Sequence, residues 1–145
     1  KGVPAKAGKI WFSKNGSWLR MKLPSGRFIC YPGARLEDGG VGTGTFSYTG
    51  INQYSRKWER LKAYAGRAVE NATQAAAADI LIGAMDSIEK AGFEIVFSVH
   101  DEFITEADLS KDNTELERLM STPPSWAPDL PLAAAGFTSL RYRKE

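Results

Sequence analysis

The stretch Phe93–Glu106, FEIVFSVHDEFITE, decides the fold of this chain. Its first half is rich in β-branched and aromatic residues, which predicts a buried strand over 93–99. Residues 102–106 predict a second strand, so that His100 and Asp101 remain as a two-residue turn between them. We expect the aspartate to take the positive φ that such a turn needs. The stretch therefore predicts a hairpin that holds a carboxylate at its tip.

The residues at the hairpin tip are compatible with few kinds of catalytic site. Asp101 and Glu102 suit a hard divalent cation, which prefers oxygen ligands, and the alternative is an ordinary exposed turn aspartate. Because His100 is the only histidine and Cys30 the only cysteine, a zinc site of His and Cys ligands and a multi-histidine phosphohydrolase site are excluded. A Ser-His-Asp hydrolase would need a Gly-x-Ser-x-Gly elbow, which is absent. Carboxylate and Mg²⁺ chemistry, or no chemistry, remains.

A long helix is predicted upstream of the hairpin, over 65–90. This stretch has no proline, strong helix formers dominate it, and Gly92 stands where a helix would end. A stripe of small apolar residues at helical spacing is expected to pack on a sheet; it comprises Ala65, Val69, Ala72, Ala76, Ile80, Ala84 and Ile88. Arg67, Asn71 and Gln74 fall within about 40° of one another on the helix. They form either a ligand-binding stripe or a solvated one.

The other stretches are assigned from turn residues and periodicity. They comprise a loose lead-in over 1–16, a β-hairpin over 17–31 with a Pro-Ser-Gly turn, a glycine-rich connection over 32–50, a short helix over about 112–121 that begins after Asp112, and a last strand near 132–142. The glycine-rich string lacks the Gly-Lys-Ser/Thr ending of a phosphate loop. The sequence thus predicts one α+β domain over 1–145, with a mainly antiparallel sheet, the long helix packed on one face and a short C-terminal helix.

Charge is unevenly distributed along the chain. Residues 1–67 carry 13 Lys and Arg against 3 Asp and Glu, and residues 68–145 carry 6 against 14. A basic half followed by an acidic half suits a protein that holds a polyanion in one part and cations in another, and a scattered solvated surface is the alternative. Arg20, Lys22 and Arg27 are expected along one side of the first hairpin. Aromatic and basic residues interleave over 45–64, which suits either nucleic-acid contact or a packed strand.

Two further features of the sequence bear on the cellular compartment and on the membrane. A single cysteine permits no internal disulfide and fits a reducing compartment. No run of eighteen apolar residues is present, so no membrane span is expected.

Four segments, in order, resemble family A DNA polymerases. Val99–Glu102 is similar to the third conserved motif of the family, and Glu70–Ile80, with its Gln-x-x-Ala-Ala-Asp core, resembles the helix before that motif. Leu23–Tyr31 and Trp126–Leu132 resemble segments typical of the phage and prophage branch. The agreement in order and spacing covers roughly residues 17–143. The resemblance implies the carboxy-terminal part of the polymerase palm.

The resemblance also implies roles for individual residues. Asp101 would bind the catalytic Mg²⁺ ions of a two-metal nucleotidyl transfer, with Glu102 as an auxiliary carboxylate and His100 facing the primer terminus. The minor groove of the primer-template end would be contacted by Arg67, Asn71 and Gln74, through acceptors that all correct base pairs share. The implied partners are primer-template DNA and a dNTP, and the implied location is the cytoplasm of a bacterium or a phage-infected host.

The chain departs from the family in two ways. Tyr64-Ala65-Gly66-Arg67 stands where the phage branch has Tyr-Gly-Gly-Lys, and Arg does not reproduce the geometry of Lys. The Asp-x-Ser-x-x-Glu motif with the first aspartate, and the fingers helix, do not occur in residues 1–145. We therefore expect a missing N-terminal portion (fingers, thumb and the rest of the palm) as partner, and no DNA polymerisation by the chain alone.

Two alternatives stay open at this point. One is a non-catalytic nucleic-acid-binding module, or a split-polymerase piece, that keeps the palm shape. Titration with Mg²⁺ or Mn²⁺ separates it from a polymerase site, because only the latter binds metal through Asp101. The other is a metal-dependent nuclease, for which a second carboxylate cluster at suitable spacing is lacking.

Overall fold

The computed structural model describes residues 5–37 and 44–142, and these residues form antiparallel strands and two helices. The strands are β1 (Ala5–Ala7), β2 (Ile10–Asn15), β3 (Trp18–Lys22), β4 (Phe28–Tyr31), β5 (Arg35–Leu36), β6 (Phe46–Ile51), β7 (Trp58–Ala63), β8 (Glu94–Val99) and β9 (Glu102–Glu106), and the helices are α1 (Ala65–Lys90) and α2 (Asn113–Met120). The α+β class, the long helix and the short C-terminal helix are therefore confirmed. The chain divides into two compact units, Lys1–Ala76 and Ala77–Glu145, and the division falls within α1.

The strands belong to three sheets rather than one. Strands β1 to β4 pair in sequence order, β5 to β7 form a second sheet, and β8 pairs with β9. The sequence predicts one sheet that contains the first hairpin, the hairpin around Asp101 and a last strand near 132–142. That prediction is wrong for the described residues, because strand periodicity shows that strands exist but not which strands pair.

The first hairpin is confirmed as β3 and β4. Its turn is closed by a hydrogen bond from the Gly26 amide to the Leu23 carbonyl, 2.9 Å, and Gly26 has φ +95°. Pro24 occupies the second position of this turn, where its fixed φ is favourable. The expectation of three basic residues along one side holds only in part. Arg20 and Lys22 share one face of β3, whereas Arg27 donates from Nη2 to the carbonyl of Ala75, 2.9 Å away in α1.

The lead-in predicted for residues 1–16 is wrong over 5–15, where the chain forms β1 and β2. In β2, Phe12 pairs with Met21 of β3, and Trp11 pairs with Lys22. Ile10, Trp11 and Phe12 form a short apolar run, but three apolar residues are too few to distinguish a strand from other structure. The glycine-rich connection likewise contains β5 and the start of β6, whereas its residues 38–43 lie outside the described part.

The core of the first unit lies between its sheets and the start of α1. Met21, Leu23, Tyr31, Ala34 and Ala72 form one buried cluster. The ring of Tyr31 meets two rings of β6 edge-on, with centroids 5.3 Å from Phe46 and 5.0 Å from Tyr48. These contacts join β4 to the second sheet.

The helix face that packs in this unit differs in part from the predicted stripe. Ala72 is buried as expected, and Ala68 and Ala75 pack beside it, whereas Ala65 and Val69 are exposed. The sequence pattern could not separate these faces, because alanine occupies almost every side of this part of the helix. The small side chains nevertheless allow the close approach that was predicted.

The second unit contains the rest of α1, the second hairpin and α2. Gly92, with φ +82°, follows the end of α1 as expected, and the buried Phe93 donates its amide to the Ile88 carbonyl at 3.2 Å. Asp112 caps α2, because its Oδ1 accepts from the Thr114 amide at 3.0 Å. This arrangement satisfies one of the free amides at the helix start.

The last strand predicted near 132–142 is not formed. The described part of that segment, up to residue 142, has no strand partner. Its amides bind side chains instead: Ala134 donates to Ser121 Oγ and Gly136 to Glu117 Oε1, both at 2.9 Å. Side-chain acceptors outside the segment thus bind amides that a strand partner would otherwise bind. Within residues 5–37 and 44–142, no helix is both long and apolar enough to cross a membrane.

Candidate nucleic-acid and metal site

The turn between β8 and β9 is the two-residue turn that the sequence predicts. Val99 pairs with Glu102 across the strands, and His100 and Asp101 are the two residues between them. A turn this short is fixed by the strands on both sides. The side chains at the tip are therefore presented by a hairpin and not by a long loop.

The backbone strain of this turn lies on the histidine and not on the aspartate. His100 has φ +55°, whereas Asp101 is not among the described residues with positive φ. A positive φ at the first central residue alone is the pattern of a type II′ turn, in which glycine is preferred at that position. Few residues other than glycine adopt a positive φ, so His100 is strained at this position of the turn.

Substitution of His100 should separate its backbone role from its side-chain role. We expect His100→Gly to keep or raise the free energy of unfolding, by up to about 1 kcal/mol, because glycine adopts positive φ freely. His100→Val should lower it by about 1–2 kcal/mol, because a branched side chain is strained there. Urea unfolding measures both, with Thr105→Val in β9 as the control for a branched residue at an ordinary strand position. Equal stability of the Gly and Val variants would contradict the strained turn.

A bulge lies in the strand that leads to this turn. Ile95 pairs with Thr105 and Phe97 with Ile104, which leaves Val96 as an extra residue in β8. Because of this shift, Val96 and Phe97 are about half exposed, and the prediction of a buried strand over 93–99 holds only in part. Bulges bend a strand and change the direction of its side chains, and they are frequent near functional sites.

The carboxylates at the tip do not form a complete metal site by themselves. Asp101 and Glu102 are adjacent and exposed. Within the part of the chain that the structure describes, no group of three or more His, Cys, Asp or Glu side chains could hold a metal ion. One carboxylate with an acidic neighbour can supply part of an oxygen-ligand set for Mg²⁺. The described residues therefore suit some of the ligand positions of a Mg²⁺ site, but they do not make a complete ligand set.

The three polar residues predicted as a stripe on α1 have different surroundings. Arg67 is exposed, and its Nε lies 3.6 Å from Glu70 Oε2, one turn further along. Gln74 is exposed as well. Asn71 is half-buried, and its Nδ2 donates to the hydroxyl oxygen of Tyr31 at 3.1 Å. Two of the three side chains thus face solvent, whereas Asn71 has a partner inside the unit.

Tyr31 is a residue that the sequence did not single out. It lies 40 positions before Asn71, and no local pattern relates the two. Burial raises the pKa of the Tyr31 hydroxyl above its ordinary value, although the hydrogen bond from Asn71 acts in the opposite direction. The hydroxyl therefore stays protonated and available as an acceptor at neutral pH.

Removal of this hydroxyl should have an effect that depends on pH. We expect Tyr31→Phe to lower the free energy of unfolding at pH 7 by about 1 kcal/mol, because the half-buried Asn71 amide loses its acceptor. A raised pKa in the folded state adds stability below the unfolded pKa of about 10, and this stability is lost as the pH rises through the folded value. The difference between wild type and variant should therefore narrow above about pH 10. Urea unfolding at several pH values tests this, and the exposed Tyr54→Phe is the control; a difference that widens at alkaline pH would contradict it.

The predicted site residues fall into two groups. Arg67, Asn71 and Gln74 lie on α1 in the first unit, and His100, Asp101 and Glu102 lie at the hairpin tip in the second. The interleaved stretch 45–64 forms β6 and β7, where Arg60 Nη1 donates to the buried Ser47 Oγ at 2.8 Å and to the Gly33 carbonyl at 3.1 Å. Arg60 therefore has a structural role.

A phage protein is similar to the whole of this chain. The protein named DNA polymerase of Bacillus phage SP02 is 39% identical to it over 147 residues. The alignment takes in all of this chain and 22% of the phage protein, so the chain spans about a fifth of that relative's length. No protein-family profile matches the chain, and no solved structure matches it.

Proposed function

We propose that this chain is the carboxy-terminal palm part of a family A DNA polymerase of the phage and prophage branch. The observation that carries the proposal is the exposed Asp101 at the tip of a two-residue turn, within a chain similar over its full length to a phage DNA polymerase. The Val99–Glu102 segment supports the assignment to the family. In this role Asp101 is one of two metal-binding aspartates, and the other belongs to a different part of the polymerase.

The hairpin tip supplies carboxylate oxygen at a fixed position. When bound, Mg²⁺ supplies Lewis-acid chemistry: it lowers the pKa of an attacking hydroxyl and stabilises charge on phosphate oxygens. Asp101 holds its share of the ligand set from an exposed turn. Glu102 adds negative charge beside it, and His100 donates toward the primer end. Because no group of three or more ligating side chains occurs among the described residues, the proposal takes the remaining ligands from elsewhere in the polymerase.

The start of α1 supplies the proposed contact with primer-template DNA. Arg67 and Gln74 are exposed donors separated by about two turns, and they suit the acceptors that line the minor groove of every correct base pair. Asn71 takes part by exchanging its bond with Tyr31 for one with a base, or else it holds the helix in place. Tyr31→Phe distinguishes these two roles of Asn71, because it removes the hydroxyl that Asn71 binds without changing the charge of the surface.

Replacement of the matching segment of the phage SP02 polymerase by this chain tests the proposal. We expect the chimeric protein to extend a primer on a DNA template with Mg²⁺ and dNTPs, because the chain supplies the hairpin carboxylate and the helix donors of the segment it replaces. The same phage protein with the segment deleted is the control. A folded chimera that binds primer-template without extending it would count against the proposal.

A non-catalytic nucleic-acid-binding module is the second candidate. The basic first unit favours it, and so does the lack of a three-ligand metal group among the described residues. Such a module would support extension in the chimera whether or not Asp101 kept its carboxylate. The response to Asp101→Asn therefore decides between the two.

A further inference from the structure

The four-stranded sheet of the first unit has one face that does not belong to the core. Side chains alternate between the two sides of a strand, and the inward set, including Phe12, Met21 and Tyr31, packs in the core cluster. The opposite side, here called the outer face, carries Trp11, Ser13, Trp18, Arg20, Lys22, Phe28 and Cys30. The strand register places these residues in rows: Lys22 lies between Trp11 and Phe28, and Arg20 lies between Ser13 and Cys30.

The outer face exposes three large aromatic side chains. Trp11, Trp18 and Phe28 keep 45%, 43% and 47% of their surface accessible. Aromatic side chains provide much of the burial energy in cores and interfaces. Exposed aromatic side chains that lie on one sheet face beside basic side chains offer stacking surfaces to a ligand.

The charge of this region indicates an anionic ligand. Residues 1–36 contain eight Lys and Arg and no Asp or Glu. Lys22 and Arg20 are exposed on β3, and Lys22 lies between the aromatic residues Trp11 and Phe28 of the neighbouring strands. No acidic side chain of the outer face neutralises them, so a polyanion is complementary to this surface.

A shallow cavity lies at one end of the outer face. It is about 280 Å³ in volume and is lined by Gly8, Lys9, Trp11, Lys22, Leu23 and Pro24. An indole ring with two ammonium groups offers a stacking surface beside positive charge. The cavity is smaller than most pockets that enclose a small molecule, which favours a chain laid across the face.

We propose that the outer face binds single-stranded DNA, with bases stacked on Trp11, Trp18 and Phe28 and phosphates paired with Arg20 and Lys22. Trp11 and Phe28 are two strands apart, or roughly 10 Å, so successive aromatic residues meet different nucleotides. A duplex is excluded as the preferred ligand because its base faces are already stacked on one another. This inference goes beyond the proposed function, since it involves neither Asp101 nor a metal ion.

Fluorescence anisotropy with a labelled 15-nucleotide oligo-dT tests the outer face in the 145-residue chain, at low salt and with EDTA. We expect Trp11→Ala and Trp18→Ala each to weaken binding by roughly five- to hundred-fold, as for the loss of one stacked base. Lys22→Gln should weaken binding and reduce the slope of log affinity against log salt by about one. The matched controls are Trp58→Ala, an exposed tryptophan of the second sheet, and Lys14→Gln, an exposed lysine of β2 on the opposite side of the sheet.

A second measurement does not depend on the stability of the alanine variants. With Trp58 and Trp126 both changed to Phe, emission comes from Trp11 and Trp18 alone, and oligo-dT should quench it because stacked bases quench indole. Absence of oligo-dT binding by the wild-type chain, equal affinity for a 15-base-pair duplex, or equal losses in the control variants would each overturn the proposal. Because EDTA and the lack of dNTPs prevent any extension, failure here leaves the polymerase proposal to its own test.

Discussion

Asp101→Asn in the chimeric polymerase is expected to reduce primer extension by about a thousand-fold or more. The amide keeps the size of the side chain but removes the negative charge that binds the metal ion. Loss of one group that stabilises transition-state charge reduces turnover by roughly 10²–10³-fold, and weakened metal binding adds to that loss. The reduction should appear in kcat, with little change in affinity for primer-template DNA, because the DNA-contacting residues are assigned to α1.

The hairpin offers a matched control for this change. Glu106 ends β9 and is exposed, so Glu106→Gln removes one negative charge from the same hairpin at its other end. We expect it to leave extension within about two-fold of wild type, because Glu106 is five residues away from Asp101, the proposed metal ligand, at the far end of an extended strand. Glu102→Gln should give an intermediate loss, as for an auxiliary carboxylate. An Asp101→Asn chimera that keeps more than a tenth of the wild-type rate would refute metal binding at this position and favour the non-catalytic module.

Met21→Ala is expected to have the largest effect on stability. Met21 has no exposed surface and lies in the cluster that joins β3, β4 and the start of α1. Truncation of a fully buried methionine removes apolar contacts and leaves a cavity, which lowers the free energy of unfolding by about 2–5 kcal/mol. Urea unfolding followed by tryptophan fluorescence measures it, because Trp11 and Trp18 belong to the same sheet.

Leu36→Ala is the control for this prediction. Leu36 is an apolar residue of β5 with 90% of its surface exposed, so its truncation should change the free energy of unfolding by no more than about 0.5 kcal/mol. Equal losses in the Met21 and Leu36 variants would mean that the cluster around Met21 is not a packed core.

Local signals in the sequence predicted the elements that local chemistry determines. Gly92 ends α1, Asp112 caps α2, and Pro24 with Gly26 closes the first turn; in each case the residue type itself favours the observed backbone. The two-residue spacing around Asp101 predicts its turn in the same way. The backbone at such positions can be predicted without knowing which distant residues pack against them.

Other features depend on contacts that the sequence does not display. Residues 10–15 form a strand because β3 provides a pairing edge. Residues 132–142 form none, and the amides of Ala134 and Gly136 bind Ser121 and Glu117 instead. The strain at the turn falls on His100, because the twist of the two strands favours a turn with positive φ at its first central residue although glycine is absent there. The engagement of Asn71 by Tyr31 likewise requires the packed unit.

The position of Cys30 has a practical use. It is the only thiol of the chain, it is exposed, and it lies beside Arg20 in the rows of the outer face. A maleimide fluorophore would therefore attach at a single known point, within a few ångströms of the proposed nucleotide path. Its emission would follow binding and release in real time, and an unlabelled sample would need a reductant to prevent two copies from crosslinking through this surface.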